Sequence, residues 1–275
     1  DGRHATVAFT DDWATDAERR DLTINALYCD LDGTIYDPVG GLADLEAGRV
    51  RFVGDPERRI AEDALRILRF FRFHAWYGRG AADAAGLAAC TRAASGLASL
   101  SGERVAAELL RLLAAPDPAS VVADMATSGV LGEVLPEARN LDRLAAMVAL
   151  ERGAIEADPE RRLAALLGEG VAMAGAVAKR LRLSNKACER LILLAAPPVA
   201  LAADMDARAA RAALHRLGRE GFIDLALLWR AGGGPEAAYR ALLETAQSWT
   251  PPEFPLRGAD ALALGVPKGP EVGRL

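Results

Sequence analysis

The chain is short of aromatic residues (5%) and of cysteine (three in 275 residues), and it has no long uninterrupted apolar run. Each shortage excludes something. Cys29, Cys90 and Cys188 are odd in number, far apart and in no metal-ligand spacing, which argues against a disulfide framework or zinc site and fits a reducing cytoplasm. No stretch approaches the roughly 18 to 20 apolar residues of a membrane span, and Asp1-Gly2-Arg3-His4 lacks the regions of a signal peptide. A basic excess is missing as well. The net charge is −5, so any nucleic-acid contact must come from a local basic patch. Without an initiating methionine, the natural N-terminus is expected upstream, and Gly273-Arg274-Leu275 stops inside a turn-and-helix pattern as though cut.

What is there favours helix. The 51% hydrophobic content is carried by Ala and Leu more than by β-branched residues, so we expect an α+β fold that is predominantly α-helical. Residues 5–10 alternate as a strand and Asp11 to Asp16 read as a loop followed by a helix. The Asp32-Gly33 pair marks a hairpin, and Arg49 to Val53 reads as a last short strand. After Asp55-Pro56 apolar residues recur at helical spacing, broken near Gly78, Ser101-Gly102, Pro116, Pro136, Pro159, Ser184, Pro197-Pro198, Gly232 and Pro251-Pro252. Pro251 to Pro255 reads as a stiff linker into a last element, Leu256 to Leu275.

Two constellations carry candidate chemistry. Arg19-Arg20-Asp21-Leu22-Thr23-Ile24-Asn25 sets two guanidinium groups beside a carboxylate and an amide at the start of a helical segment, which suits an anion cradle or, equally, a solvated helix start with a structural amide. Within Glu62 to Phe73, residues Asp63, Arg66, Arg69 and Arg72 follow at intervals of three, a stripe that drifts by about 60° per step on an α-helix. Leu65, Leu68, Phe71 and Ala75 then face the core. A carboxylate beside a guanidinium can read a base edge: it accepts from an exocyclic amine while the guanidinium donates to the neighbouring ring acceptor. Cytosine and adenine present that pattern, whereas uracil and guanine do not. An ion pair on an exposed helix face is the plainer alternative.

In this order, with Asp37-Pro38-Val39-Gly40-Gly41-Leu42-Ala43-Asp44-Leu45 between them and Val53-Gly54-Asp55-Pro56 before the second, the motifs resemble the tRNA nucleotidyltransferase and bacterial poly(A) polymerase family. The resemblance implies a remnant of a nucleotidyltransferase-type β-sheet head over 1–56, a helical neck over 57–140 and a helical body over 141–275. It implies that Arg20 binds the incoming nucleotide, that Asp63 and Arg66 read its base, that Arg69 and Arg72 contact it, and that Asp21 and Asn25 line the pocket. Glu62 is expected to hold arginines or cap the helix. Leu22 stands where the family usually has Phe.

For the family, the resemblance further implies template-independent addition of C and A from CTP and ATP to the tRNA 3′ end, assisted by Mg2+. The family's metal-binding Asp-x-Asp pair has no counterpart before Arg19. Asp11 and Asp12 are adjacent, so no metal ligand or catalytic carboxylate is assigned here; both are expected upstream, and this stretch alone is expected to be inactive. Poly(A) addition, partial CCA addition and a non-catalytic RNA-binding module are the alternatives. Arg104, Arg111 and the run Lys179 to Lys186 are candidate RNA surfaces. His74 is expected to pack or cap, and Trp76 and Tyr77 to lie in the core.

Overall fold

The computed structural model describes residues 12–153, 155–250, 258–263, 265 and 269. The strand expected at 5–10 and the linker at 251–255 lie outside them. Helix α1 (Trp13–Glu18) starts earlier than the sequence suggested, because the Asp12 carboxylate caps it by accepting from Ala14 N at 3.0 Å. Strands β1 (Tyr28–Cys29) and β2 (Ile35–Tyr36) form the expected hairpin, with Tyr28 opposite Tyr36. Its turn is a three-residue loop in which Gly33 takes φ 89°. The Arg49–Val53 strand is reduced to one bridge, Leu22 to Phe52, flanked by Thr23 N–H donating to Arg51 O and Val53 N–H to Asp21 O.

Helix α2 (Gly41–Ala47) lies against the Thr23–Asn25 turn so closely that a Cβ at Gly41 would stand 2.1 Å from Thr23 O. Helix α3 (Pro56–Glu62) has Asp55 as cap and Pro56 in its first turn. Then come α4 (Leu65–Tyr77), α5 (Ala84–Ala93), α6 (Gly102–Leu113), α7 (Ala119–Thr127) and α8 (Val130–Val134). The remaining helices are α9 (Leu141–Glu151), α10 (Pro159–Leu166), α11 (Val171–Arg180), α12 (Asn185–Ala195), α13 (Ala207–Ala231), α14 (Glu236–Ser248) and α15 (Gly258–Ala263). This is the α+β, mostly helical fold the composition implied. No helix among the described residues is long and apolar enough to cross a membrane.

One buried apolar cluster runs from Leu22 and Phe52, through Phe70 and Phe71 of α4 and Leu109 of α6, to Leu228 of α13 and Ala246 of α14. The core face of α4 is wider than the spacing suggested: Ile67, Phe70 and His74 join Leu68 and Phe71 inside, while Leu65 and Ala75 are half-buried. Where α9, α10, α12 and α13 converge, the core contains charge. Arg162, only 2% exposed, donates to Glu151 at 2.6 Å and to the carbonyls of Leu113 and Ala115 at 2.6 Å. Arg161 bonds Glu151 and Asp224, and Arg190 reaches Asp158, Glu160 and Asp224. Buried charges need such pairing, since an unpartnered ion there costs several kcal/mol or about that order.

Candidate functional site

The first constellation runs from the end of α1 into a single 3-10 turn, Thr23–Asn25, and not into an α-helix. Arg19 and Arg20 follow the C-terminal end of α1, Asp21 and Leu22 lie on the bridged rung, and Asn25 closes the short turn after it. Four N–H groups of this stretch are engaged, Arg20 N on Ala17 O, Thr23 N on Arg51 O, Asn25 N on Leu22 O and Ala26 N on Thr23 O. An anion here would meet the guanidinium groups of Arg19, Arg20, Arg66 and Arg69. Buried Asp21 accepts from Arg69 Nε and, at 3.2 Å, from Arg69 Nη2, with Asn25 Nδ2 at 2.7 Å. Burial alone would raise its pKa, but the bonds from Arg69 and Asn25 and the Arg69 charge hold it below the usual carboxylate range. Arg20 bonds Asp16 at 3.1 Å and Asn25 O at 3.3 Å and lies over the Tyr28 ring. Buried Asn25 Oδ1 has no hydrogen-bond partner.

The second constellation is not one helical stripe. Asp63 takes extended angles (φ −159°, ψ 111°) in the joint between α3 and α4, while Arg66, Arg69 and Arg72 ride on α4. Its Oδ1 accepts from Leu65 N at 3.1 Å, and its Oδ2 from Arg104 of α6 at 2.6 Å. The direct Asp63–Arg66 pair expected from the spacing is absent. Arg66 instead bonds Glu62 at 2.5 Å, Arg59 O at 2.9 Å and Arg19 O at 3.3 Å. Glu62 gathers Arg58, Arg59 and Arg66, the arginine-holding part foreseen for it. Burial works to raise the Asp63 pKa, yet the bonds from Arg104 and Leu65 N–H and the charges of Arg104 and Arg66 hold it low, so the carboxylate is ionised and accepts only.

The two constellations meet. Arg19, Arg20, Asp21, Asn25, Asp63, Leu65, Arg66 and Arg69 line one open cavity of about 450 Å³. Arg72 is not among its walls; it points to Glu108 of α6 at 2.5 Å. Sequence reasoning missed Glu108, a buried carboxylate that also faces Arg69 at 4.0 Å and Arg111 at 3.9 Å. Its signal was a charge on the apolar face of α6, between Val105 and Leu109. Arg104 was read only as an RNA candidate, and nothing in the sequence ties it to Asp63. His74 is buried, as expected, with Nδ1 unpartnered. Trp76 and Tyr77, expected in the core, are 43% and 49% exposed, because α4 ends there and only its other side meets the core.

Among the described residues no group of three or more His, Cys, Asp or Glu side chains could hold a metal ion. The cavity's own carboxylates, Asp21 and Asp63, are engaged by arginines and do not fit such a site.

Two family models match the chain: the poly A polymerase head domain over residues 1–51 and the probable RNA and SrmB-binding site of polymerase A over residues 83–141. The base-edge constellation, Asp63 to Arg72, lies between these two matches. The mouse protein "CCA tRNA nucleotidyltransferase 1, mitochondrial" is 53% identical over 118 residues, 41% of this chain and 26% of that protein. A "CCA-adding enzyme" of Levilactobacillus brevis is 42% identical over 124 residues, 45% of this chain and 31% of the relative. The matched stretches thus span about a quarter to a third of these relatives. The crystal structure of the Bacillus stearothermophilus CCA-adding enzyme in complex with CTP superposes with a TM-score of 0.71 at 28% identity, covering 97% of this chain and 68% of that one. The Thermotoga maritima CCA-adding enzyme complexed with tRNA shares the fold, with a TM-score of 0.60 at 18% identity over 95% of this chain and 67% of that one. Over these stretches the chain is similar to CCA-adding enzymes and to the head and RNA-binding regions of polymerase A.

Proposed function

We propose that this chain selects and positions the nucleotide during template-independent addition of C and A, from CTP and ATP, to the tRNA 3′ end. The observation that carries the reading is the single cavity into which Arg20, Asp21, Asn25, Asp63, Arg66 and Arg69 are gathered from an extended rung, an interhelical joint and a helix. Asp63, ionised and fixed through both oxygens, is the acceptor for an exocyclic amine, and Arg66 the donor to the adjacent ring acceptor. Arg20 and Arg69 balance phosphate charge. Arg72 acts from behind, through Glu108 and Arg69, and not by contact.

The division into head (1–56), neck (57–140) and body (141–275) is part of this proposal, with RNA phosphates falling to exposed Arg111 and the Lys179 to Lys186 run. Mg2+ belongs to it as well, held by carboxylates other than those described. A reducing, cytoplasmic setting is assigned on three cysteines that form no disulfide. The protein containing this chain, given tRNA ending before CCA and each labelled triphosphate singly and in pairs, is expected to add C and then A. Asp63→Ala and Arg66→Ala should blur that choice. Long A tails on any RNA would reassign it to poly(A) addition, and no incorporation at all would overturn the reading.

A further inference from the structure

Ten arginines among the described residues are buried or half-buried, and nine have a carboxylate within ion-pair distance: Arg51, Arg59, Arg66, Arg69, Arg72, Arg161, Arg162, Arg190 and Arg230. Arg143 of α9 is the exception. Its Nε donates to Leu228 O at 3.3 Å, its terminal nitrogens make no bond to any described residue, and the field of exposed Glu169 reaches it from outside ion-pair distance. Burial draws its pKa below the usual arginine value, a direct sign that its charge is poorly compensated.

The same guanidinium forms part of the wall of a cavity of about 560 Å³ between α9, α12 and α13, far along the chain from the base-selecting site. The other walls are largely apolar, with Leu194, Val199, Leu201, Leu225, Leu228 and Trp229, and exposed Glu169 also lines the cavity, beyond ion-pair distance of Arg143. A space within the range of roughly 300–1,000 Å³, mostly apolar and furnished with a guanidinium that has no ion-pair partner among the described residues, is built as ligand sites are. A guanidinium is a fork matched to two oxygens of one anion.

We propose that this cavity is a second binding site, for a small organic anion whose carboxylate or phosphate monoester head pairs with Arg143 and whose apolar body fills the space against Leu225, Leu228 and Trp229. The bound anion supplies the counter-charge that the fold supplies to every other enclosed arginine. Its occupation is independent of nucleotide selection.

Calorimetric titration of the chain with octanoate, octyl phosphate, octanol and octylammonium tests it. The expected result is saturable one-to-one binding of one or both anions, roughly tenfold or more tighter than octanol, with octylammonium weaker still. Binding falls by a similar factor in Arg143→Met, is partly kept in Arg143→Lys, and is blocked by Ala200→Phe at the cavity wall. Octanoate alone or octyl phosphate alone identifies the head group. Arg143→Met is also expected to melt at or above the parent temperature, since it removes an uncompensated charge. Octanol binding as tightly as the anions, no saturable binding, or a lowered Tm with anion binding retained would each overturn the site. So would loss of tRNA affinity in Arg143→Met of a chain that takes neither anion, which would give the guanidinium to an RNA phosphate.

Discussion

Two arginine–carboxylate networks in this molecule use the same chemistry for opposite ends. Around Glu151, Arg161, Arg162 and Asp224 the charges are sealed, every partner is protein, and four helices are tied to the carbonyl end of α6. Around Asp21, Asp63, Arg66 and Arg69 the pairs are as well made, but they stand on a cavity open to solvent. Pairing by itself is therefore no sign of function. What distinguishes the second network is that its partners can be exchanged for a ligand's atoms without baring a charge to the core.

The contrast breaks most visibly at Arg162. Arg162→Met strands Glu151 and two carbonyls in the core and should cost about 3 kcal/mol or more, read from denaturant unfolding. Arg69→Ala is intermediate, because it leaves buried Asp21 without its main partner: a loss of about 1–3 kcal/mol of stability together with weakened CTP and ATP binding is expected. Asp63→Ala and Arg66→Ala should barely move the unfolding midpoint while reducing discrimination of CTP over UTP by roughly ten- to a hundredfold in equilibrium binding. Equal loss for all four triphosphates would instead make the pair a structural tie.

A pH series sharpens the same point. Asp63 has a depressed pKa, so its ionised form, and with it both its pairing to Arg104 and its acceptor role, is present above the unfolded value of about 3.9 and lost as pH falls through the lower folded value. CTP preference should stay flat from pH 7 down to about 4; a collapse near pH 6 would point to a histidine instead. The smallest effect concerns thiols. Burial pushes the Cys90 thiol up to about 12, whereas Cys29 is exposed, so alkylation at pH 8 should label Cys29 with no change in melting and leave Cys90 untouched until unfolding.

Much of the fold was legible. Helical spacing after Pro56, the Asp-Gly hairpin and the capping aspartates are local signals, and the helices and turn follow them. The membership of the cavity was legible too, except that Arg72 turns away from it. The geometry inside it was not, and Asp63 shows why. Ala61-Glu62-Asp63-Ala64-Leu65 has neither Pro nor Gly to mark a break, and a spacing of three carried straight through it, yet an Asp accepting from the N–H two residues on is a helix-starting signal in its own right. Arg104 and Glu108 were out of reach because their partners lie 41 and 36 residues away in sequence. Nothing local to Asp158-Pro159-Glu160-Arg161-Arg162 marks the two arginines as buried; the convergence of α9, α12 and α13 on α10 buries them.

The first residue of α6 is Gly102, and a Cβ there would stand 1.9 Å from the carbonyl oxygen of Arg180, the last residue of α11. In the vocabulary of inheritance, this position has almost no alleles. Every replacement adds at least that carbon, and the displaced helix carries Arg104, the partner of Asp63, two residues on. Surface drift along α13 or α14 can accumulate unseen, while a single base change in one glycine codon would reach Asp63 through Arg104.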